Sequence, residues 1–154
     1  MKKLLTLLAI TVVIATGCKS KSSSAEANKL AKGEVKYEYR AFTRGSHIAI
    51  LIDEKSITAA SSNPTEVNTA IPFAINQKDW NTLLEETGKV KLAGFETLAV
   101  PSKKHQFDGA LAATLKITVD GKEYQTPTFD HGNPPAEIKA LVEKIIVLSK
   151  LEKK

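Results

Sequence analysis

Cysteine is almost absent from this chain of 154 residues, which contains one cysteine, one tryptophan and one methionine. A single cysteine cannot form an intramolecular disulfide, so the sequence is not that of a small domain held together by cross-links. Glycine and proline are also sparse, at 8 and 6 residues, which excludes collagen-like and low-complexity chains. With 42% hydrophobic residues, the composition predicts a folded domain with a single core.

Positive charge is in excess, but the excess is unevenly distributed along the chain. Lys and Arg number 22 against 17 Asp and Glu, a formal charge of +5. Residues 1–17 carry +2, residues 18–33 carry +3 and residues 150–154 carry +2, which leaves −2 for residues 34–149, with 13 basic and 15 acidic side chains. Nucleic-acid recognition needs a clustered positive footprint, and residues 34–149 contain no basic block. The sequence therefore predicts no nucleic-acid partner.

The first residues of the chain have the three-part order of an export signal. Two lysines precede an apolar stretch over residues 4–14, and small residues followed by Cys18 complete the pattern. The apolar stretch is shorter than the roughly 20 residues that a membrane-spanning helix needs. The ending, Ala15-Thr16-Gly17-Cys18, resembles the lipobox of bacterial lipoproteins, with alanine where that family usually has leucine. This resemblance implies a signal peptide over residues 1–17 and lipid attachment at Cys18.

The residues after Cys18 predict a tether and a location. Residues 18–33 are mainly Ser, Ala and Lys, and Leu30 is their only large apolar side chain, so we expect a flexible polar tether. Lipid chains on the cysteine would anchor the protein to a bilayer. Lys19 occupies the position at which an inner-membrane retention signal has Asp, so the same resemblance implies the outer membrane, facing the periplasm. Residues 150–154 form a basic tail.

Residues 34–149 have the pattern of a single α+β domain. We expect a mostly antiparallel sheet of about five to six strands, with two packed helices of which the second is C-terminal. Alternating apolar residues mark strands from Val35, from Ile48 and over residues 111–119. Asp120-Gly121 predicts a two-residue hairpin turn after the last of these strands.

Both helices have recognisable signals at their ends. Asn76 is a suitable N-cap for the first helix, and Gly88 suits a left-handed stop at its other end. Trp80 lies on the apolar face of this helix, so we expect it in the core rather than stacked on a ligand. The second helix should begin near Pro134-Pro135. Its apolar stripe consists of Ile138, Leu141, Val142, Ile145 and Ile146.

Polar residues converge at one place in this predicted topology. A two-residue turn at Asp120-Gly121 places Leu111 opposite Asp130 and Ala110 opposite His131. The open end of the hairpin would then gather four polar residues: His105, Asp108, Asp130 and His131.

Two interpretations of this cluster stay open. In the functional interpretation, Asp108, Asp130 and His131 hold a metal ion or a polar ligand. In the structural interpretation, Asp130 or Asp108 accepts hydrogen bonds from the exposed amides at the start of the last helix. The three histidines, His47, His105 and His131, are widely separated, so their spacing does not indicate a three-histidine metal site.

Three segments of the domain resemble small uncharacterised lipoproteins of Bacteroidota. The segments are Arg44-Gly45, Asp108-Gly109-Ala110 and Phe129-Asp130-His131-Gly132-Asn133-Pro134-Pro135. The resemblance covers most of residues 34–149. It implies a lipid-anchored location in the cell envelope and no particular activity.

No catalytic motif is present, so we expect neither an enzyme nor a cofactor. The sequence contains no P-loop, no dinucleotide-binding glycine pattern, no His-Glu-x-x-His and no Gly-x-Ser-x-Gly. A hydrolase using Ser46 and His47 is disfavoured, because adjacent strand residues point to opposite faces. We expect a tethered binding or interaction module, with the bilayer and an envelope protein as partners. The alternative is a periplasmic metal- or small-ligand-binding protein that uses Asp108, Asp130 and His131.

Overall fold

A computed structural model describes residues 27–63, 66–67, 70 and 72–151 of the protein. The predicted signal peptide, Cys18 and the first part of the predicted tether lie outside these ranges. The strands are β1 (Val35–Thr43), β2 (Ser46–Ile52), β3 (Ser56–Asn63), β4 (Glu66–Val67), β5 (Phe73–Ala74), β6 (Ala112–Val119), β7 (Lys122–Gln125) and β8 (Phe129–Asp130). The α-helices are α1 (Gln77–Gly88) and α2 (Lys139–Ser149), and short 3₁₀ helices span Leu92–Thr97, Lys104–Phe107 and Ala136–Ile138.

The strands form one antiparallel sheet in the order β4-β3-β2-β1-β6-β7. Two short strands extend its edges: β5 pairs with β3 beside β4, and β8 pairs with β6 beyond β7. The central strand β1 pairs with β2 on one side and with β6, distant in sequence, on the other. The predicted α+β class, with an antiparallel sheet and a C-terminal helix, is confirmed.

The turn between β6 and β7 confirms the predicted hairpin. Val119 pairs with Lys122, and both turn residues have positive φ, 50° at Asp120 and 80° at Gly121, as a type I′ turn requires. The Asp120 carboxylate also holds the start of β1, because its Oδ1 accepts a hydrogen bond from the Glu34 N–H at 2.9 Å. The Asp120 N–H in turn donates to the Glu34 carbonyl at 2.9 Å.

The return strand leaves the predicted register after Gln125. The Thr126 N–H donates to the Leu115 carbonyl at 3.0 Å, but the Leu115 N–H donates to the Thr126 hydroxyl at 3.1 Å instead of to a carbonyl. Pro127 follows and has no N–H with which to continue the ladder. The return strand therefore contains one extra residue here, in the manner of a β-bulge.

This extra residue changes which residues face each other at the open end of the hairpin. The predicted pairs Leu111–Asp130 and Ala110–His131 are wrong. Asp130 instead pairs with Ala112, and the His131 N–H donates to the Leu111 carbonyl at 2.9 Å. Since side chains alternate between faces along a strand, the shift also decides the face to which Asp130 points.

The first helix confirms its predicted start and corrects its predicted end. Asn76 is the N-cap, and its Oδ1 accepts from the Asp79 N–H at 2.9 Å. Trp80 is buried with 4% exposure, as expected for a core residue. The helix ends at Gly88, but no left-handed residue stops it; the C-cap is Lys89, with a right-handed φ of −82°.

The core lies between the two α-helices and one face of the sheet. The apolar stripe predicted for α2 is buried there in full. The largest fully buried side chains are Tyr37, Tyr39, Phe95, Phe129, Ile50, Ile52, Ile57, Leu83, Leu115, Ile117, Ile138 and Leu141. An ion pair also joins the helices, since Lys144 Nζ lies 2.6 Å from Asp79 Oδ1.

The described fold begins inside the segment predicted to be a tether. Residues 27–30 form a helical turn, and both Ala27 and Leu30 are buried, at 8% exposure each. At residues 27–30 the structure differs from the predicted flexible tether, because the core offers Leu30 an apolar surface to contact. Within the described ranges, no helix has the length and apolar character needed to cross a bilayer.

Candidate functional site

Asp130 is the centre of a buried polar cluster at the end of β8. The residue is 2% exposed, and its two carboxylate oxygens accept four hydrogen bonds. Ser102 Oγ donates to Oδ2 at 2.5 Å, and the Lys104 N–H donates to the same oxygen at 2.9 Å. The backbone N–H of His105 is 2.8 Å from Oδ1, and its ring Nδ1 is 2.6 Å from that oxygen.

These hydrogen bonds determine the charge of the carboxyl group. Burial alone would raise the pKa of Asp130, but the bonds from Ser102, from the backbone of His105 and Lys104, and from the His105 ring outweigh it. The pKa of Asp130 is therefore held well below its usual range. An ionised carboxylate only accepts hydrogen bonds, so the Nδ1 atom of His105 carries a proton and donates.

The carboxylate caps a different helix from the one expected. It accepts the backbone N–H groups at the start of the 3₁₀ helix Lys104–Phe107, whereas the start of α2 has no side-chain cap. The register shift explains the difference. Because Ala112 lies on the sheet face opposite the core, its partner Asp130 also points there and meets the loop that crosses this edge.

The other residues of the predicted cluster lie apart from this carboxylate. The His131 Nδ1 atom is 2.6 Å from the Tyr39 hydroxyl, and Asp108 is exposed at the end of the 3₁₀ helix with a φ of 56°. The structure thus unites Asp130 with His105 and places Asp108 and His131 elsewhere. In the part of the chain that is described, no group of three or more His, Cys, Asp or Glu side chains is arranged to hold a metal ion.

The sequence does not indicate the contacts of Ser102 and Tyr39, for different reasons. Ser102 lies in an irregular loop, 28 residues from Asp130, and no periodicity connects the two. Tyr39 belongs to the apolar alternation of β1, which predicted its burial but gave no sign of a histidine partner 92 residues away. Only the fold brings Ser102 to Asp130 and Tyr39 to His131.

Asp130 also ends a row of side chains that crosses the sheet. The cross-strand pairs link neighbours in the order Ser62, His47, Phe42, Ala112 and Asp130. We call the sheet face that carries this row the outer face, and Leu51 also lies on it. Both α-helices pack on the opposite face, where the buried residues of the strands lie.

The outer face exposes large apolar side chains. Phe42 is 58% exposed and Leu51 is 48% exposed, on neighbouring strands. Phe107 is 83% exposed, and its 3₁₀ helix is held to the same face by the hydrogen bonds to Asp130. The rigid sheet and the capped loop thus present three apolar side chains to solvent.

A serine and a histidine meet on this face, although they are not the adjacent pair considered from the sequence. Ser62 Oγ forms a short hydrogen bond with Nδ1 of His47 from the neighbouring strand. Within the described residues, no carboxylate hydrogen-bonds to the His47 ring to orient it, as a catalytic triad requires. Ser46 precedes His47 on β2, so its side chain points to the other face.

The comparisons with known proteins give no relative from which a function could be transferred. No protein-family model, no curated protein sequence and no solved structure matches this chain. No enzyme family or enzyme homologue is therefore identified.

Proposed function

We propose that this chain is a lipoprotein of the cell envelope whose folded part is a binding module for an envelope protein. The observation that carries the proposal is the outer face, where Phe42, Leu51 and Phe107 are exposed on a fixed backbone. Aromatic side chains are enriched at protein interfaces, and Phe42 and Phe107 are two strongly exposed aromatic side chains of this domain. The Asp130 cluster serves this surface by fixing the loop that carries Phe107.

Charged side chains between the apolar ones would give the surface its specificity. Arg40 forms an ion pair with Glu38, and Lys116 Nζ lies 3.2 Å from the same Glu38 carboxylate. Such partly exposed pairs contribute little to stability. They are therefore free to rearrange toward charges on a partner. Complementary charges would favour one orientation of the complex and raise the rate of association.

The proposed location follows from the N-terminal sequence. Residues 1–17 have the order of a signal peptide, and Cys18 ends a lipobox-like motif. Lipid chains on Cys18 would hold the module at the outer membrane, facing the periplasm. Cys18 is the only cysteine, so Cys18→Ser removes the attachment site without changing any of the described residues.

Site-specific photo-crosslinking in intact cells tests the binding surface. A photoreactive amino acid at Phe42 or at Phe107 should capture the same envelope protein, whereas the same amino acid at the exposed Asn81 of α1 should not. Leu51→Ser should weaken both crosslinks while leaving the circular dichroism spectrum unchanged. Absence of any common product, or equal capture from Asn81, would contradict the proposed surface.

Intact-mass measurement tests the anchor separately. The wild-type protein purified from membranes should carry the added mass of lipid chains. The Cys18→Ser variant should lack that mass and leave the membrane fraction. A wild-type mass without lipid would reject the lipoprotein assignment, whatever the crosslinking shows.

A further inference from the structure

A cleft of about 570 Å³ lies at the end of the fold where the described chain begins. The apolar and aromatic side chains that line it include Leu30, Val90, Leu92 and Tyr124. The charged side chains of the lining are Lys29, Lys89, Lys91 and Asp120.

The charges of this cleft favour an anion. The lining contains three lysines and one carboxylate. That carboxylate, Asp120, already accepts a hydrogen bond from a backbone N–H. Lys122 adds a further ammonium group, 5.0 Å from the centre of the Tyr124 ring. Lys89 pairs with Glu86 at 2.5 Å, but the Lys89 side chain is 54% exposed, so the lysine can exchange its partner for another anion.

The sequence limits how far this cleft can lie from Cys18. Leu30, which lines the cleft, belongs to the helical turn that starts at Ala27. From Cys18 to Ala27 the chain advances nine residues, which span at most about 32 Å even when fully extended. Electrostatic attraction to a surface extends only about 8 Å in physiological salt, so a short connection matters.

We infer that this cleft docks against anionic phospholipid headgroups of the membrane that holds the protein, an inference that rests on the proposed lipid anchor at Cys18. Lysine side chains match headgroup phosphates, and Tyr124 supplies the amphipathic ring that membrane–water interfaces favour. The apolar lining offers contact to the glycerol region between headgroups and acyl chains. Docking would also orient the module, since Phe42 lies seven residues along β1 from Val35, about 23 Å from this end.

Hydrogen–deuterium exchange on the full, membrane-purified chain tests the docking. The protein is reconstituted in nanodiscs of phosphatidylcholine alone, or of phosphatidylcholine mixed with phosphatidylglycerol. Segments 89–93 and 120–124 should be protected only in the anionic discs, and high salt should remove the protection. Segment 104–110, at the other end of the fold, should exchange equally in both.

Lysine variants make the test specific to the cleft. Lys29→Gln and Lys91→Gln should each lower the ratio of docked to free protein by about fivefold. Lys103→Gln, at an exposed position in the opposite loop, should leave the ratio unchanged. Equal protection in both kinds of disc, or equal effects of all three variants, would overturn the docking of a lipid-bearing protein. A mass without lipid would instead overturn the anchor on which the inference rests.

Discussion

The buried hydrogen bond between Tyr37 and Thr87 makes a sharp prediction about the fold. The Tyr37 hydroxyl is 2.8 Å from Thr87 Oγ1, and this links β1 to α1 across 50 residues of sequence. Thr87 Oγ1 also donates to the Leu83 carbonyl at 2.7 Å. Because a hydroxyl has one proton to give, Tyr37 must donate to Thr87. Burial outweighs the hydrogen bond and raises the pKa of Tyr37, so the donor proton is kept at all ordinary pH values.

The expected magnitudes follow from which group is left unpaired. Tyr37→Phe removes one donor while Thr87 keeps its bond to Leu83, so the free energy of unfolding should fall by about 1 kcal/mol. Thr87→Val keeps the side-chain shape but leaves the Tyr37 hydroxyl buried without an acceptor, which costs about 1–3 kcal/mol. The double variant removes both polar groups and should be less destabilised than the sum of the single variants, by about 1 kcal/mol or more.

Urea unfolding provides the measurement, with the single tryptophan as the reporter. The Trp80 ring packs edge-on against the Tyr37 ring, with 5.9 Å between the ring centroids. Trp80 fluorescence therefore reports on the surroundings of Tyr37. Tyr124→Phe serves as a control, because it makes the same chemical change on a half-buried ring outside this bond. Strictly additive losses in the double variant, at unchanged denaturant slopes, would refute the assigned hydrogen bond.

Three further predictions concern charge and turn geometry. The pKa of Asp79 is lowered mainly by the hydrogen bond from Lys144, against the opposing effect of burial. The ionised Asp79 therefore stabilises the fold above its unfolded pKa, and this contribution is lost as the pH falls below about 4. Asp79→Asn should flatten the acid limb of a stability–pH curve, and a curve parallel to that of the wild type would contradict this. Asp130→Asn should lower the urea midpoint much more than Asp108→Asn at the exposed position, and equal midpoints would reject the capping role. Gly121→Val, at a φ of 80°, should lower the free energy of unfolding by about 1–2 kcal/mol, measured by thermal unfolding. Gly94→Ala, which has open space around an added Cβ, should leave that free energy nearly unchanged.

The sequence was most informative where structure depends on near neighbours. The turn at Asp120-Gly121 could be predicted because two adjacent residues tolerate positive φ, and the Asn76 cap because its acceptor is three residues from its donor. The register beyond Gln125 could not be predicted, since it depends on the Thr126 side chain, which replaces a backbone carbonyl as the hydrogen-bond acceptor for Leu115 of β6. Hydropathy likewise gave no reason to bury Leu30, which becomes favourable only beside a core assembled from later residues.

The Asp130 cluster shows which parts of a polar cluster can be predicted from residue types and which cannot. Residue types suggested a carboxylate and histidines at the open end of the hairpin, and His105 does meet Asp130 there. The choice between ligand and helix cap depended on the loop around Ser102, which has no periodic pattern to place it. One extra residue in the return strand then turned Asp130 to the outer face, where this loop lies.

The two interpretations of that cluster are therefore not strict alternatives. A carboxylate that accepts four internal hydrogen bonds has little capacity left for a ligand, which favours a structural role for Asp130 itself. The structure it maintains, however, is the loop that carries the exposed Phe107. Fixing an exposed aromatic side chain before binding reduces the entropy lost on association. In the proposed binding module, a fully buried carboxylate would thus contribute to affinity without touching the partner.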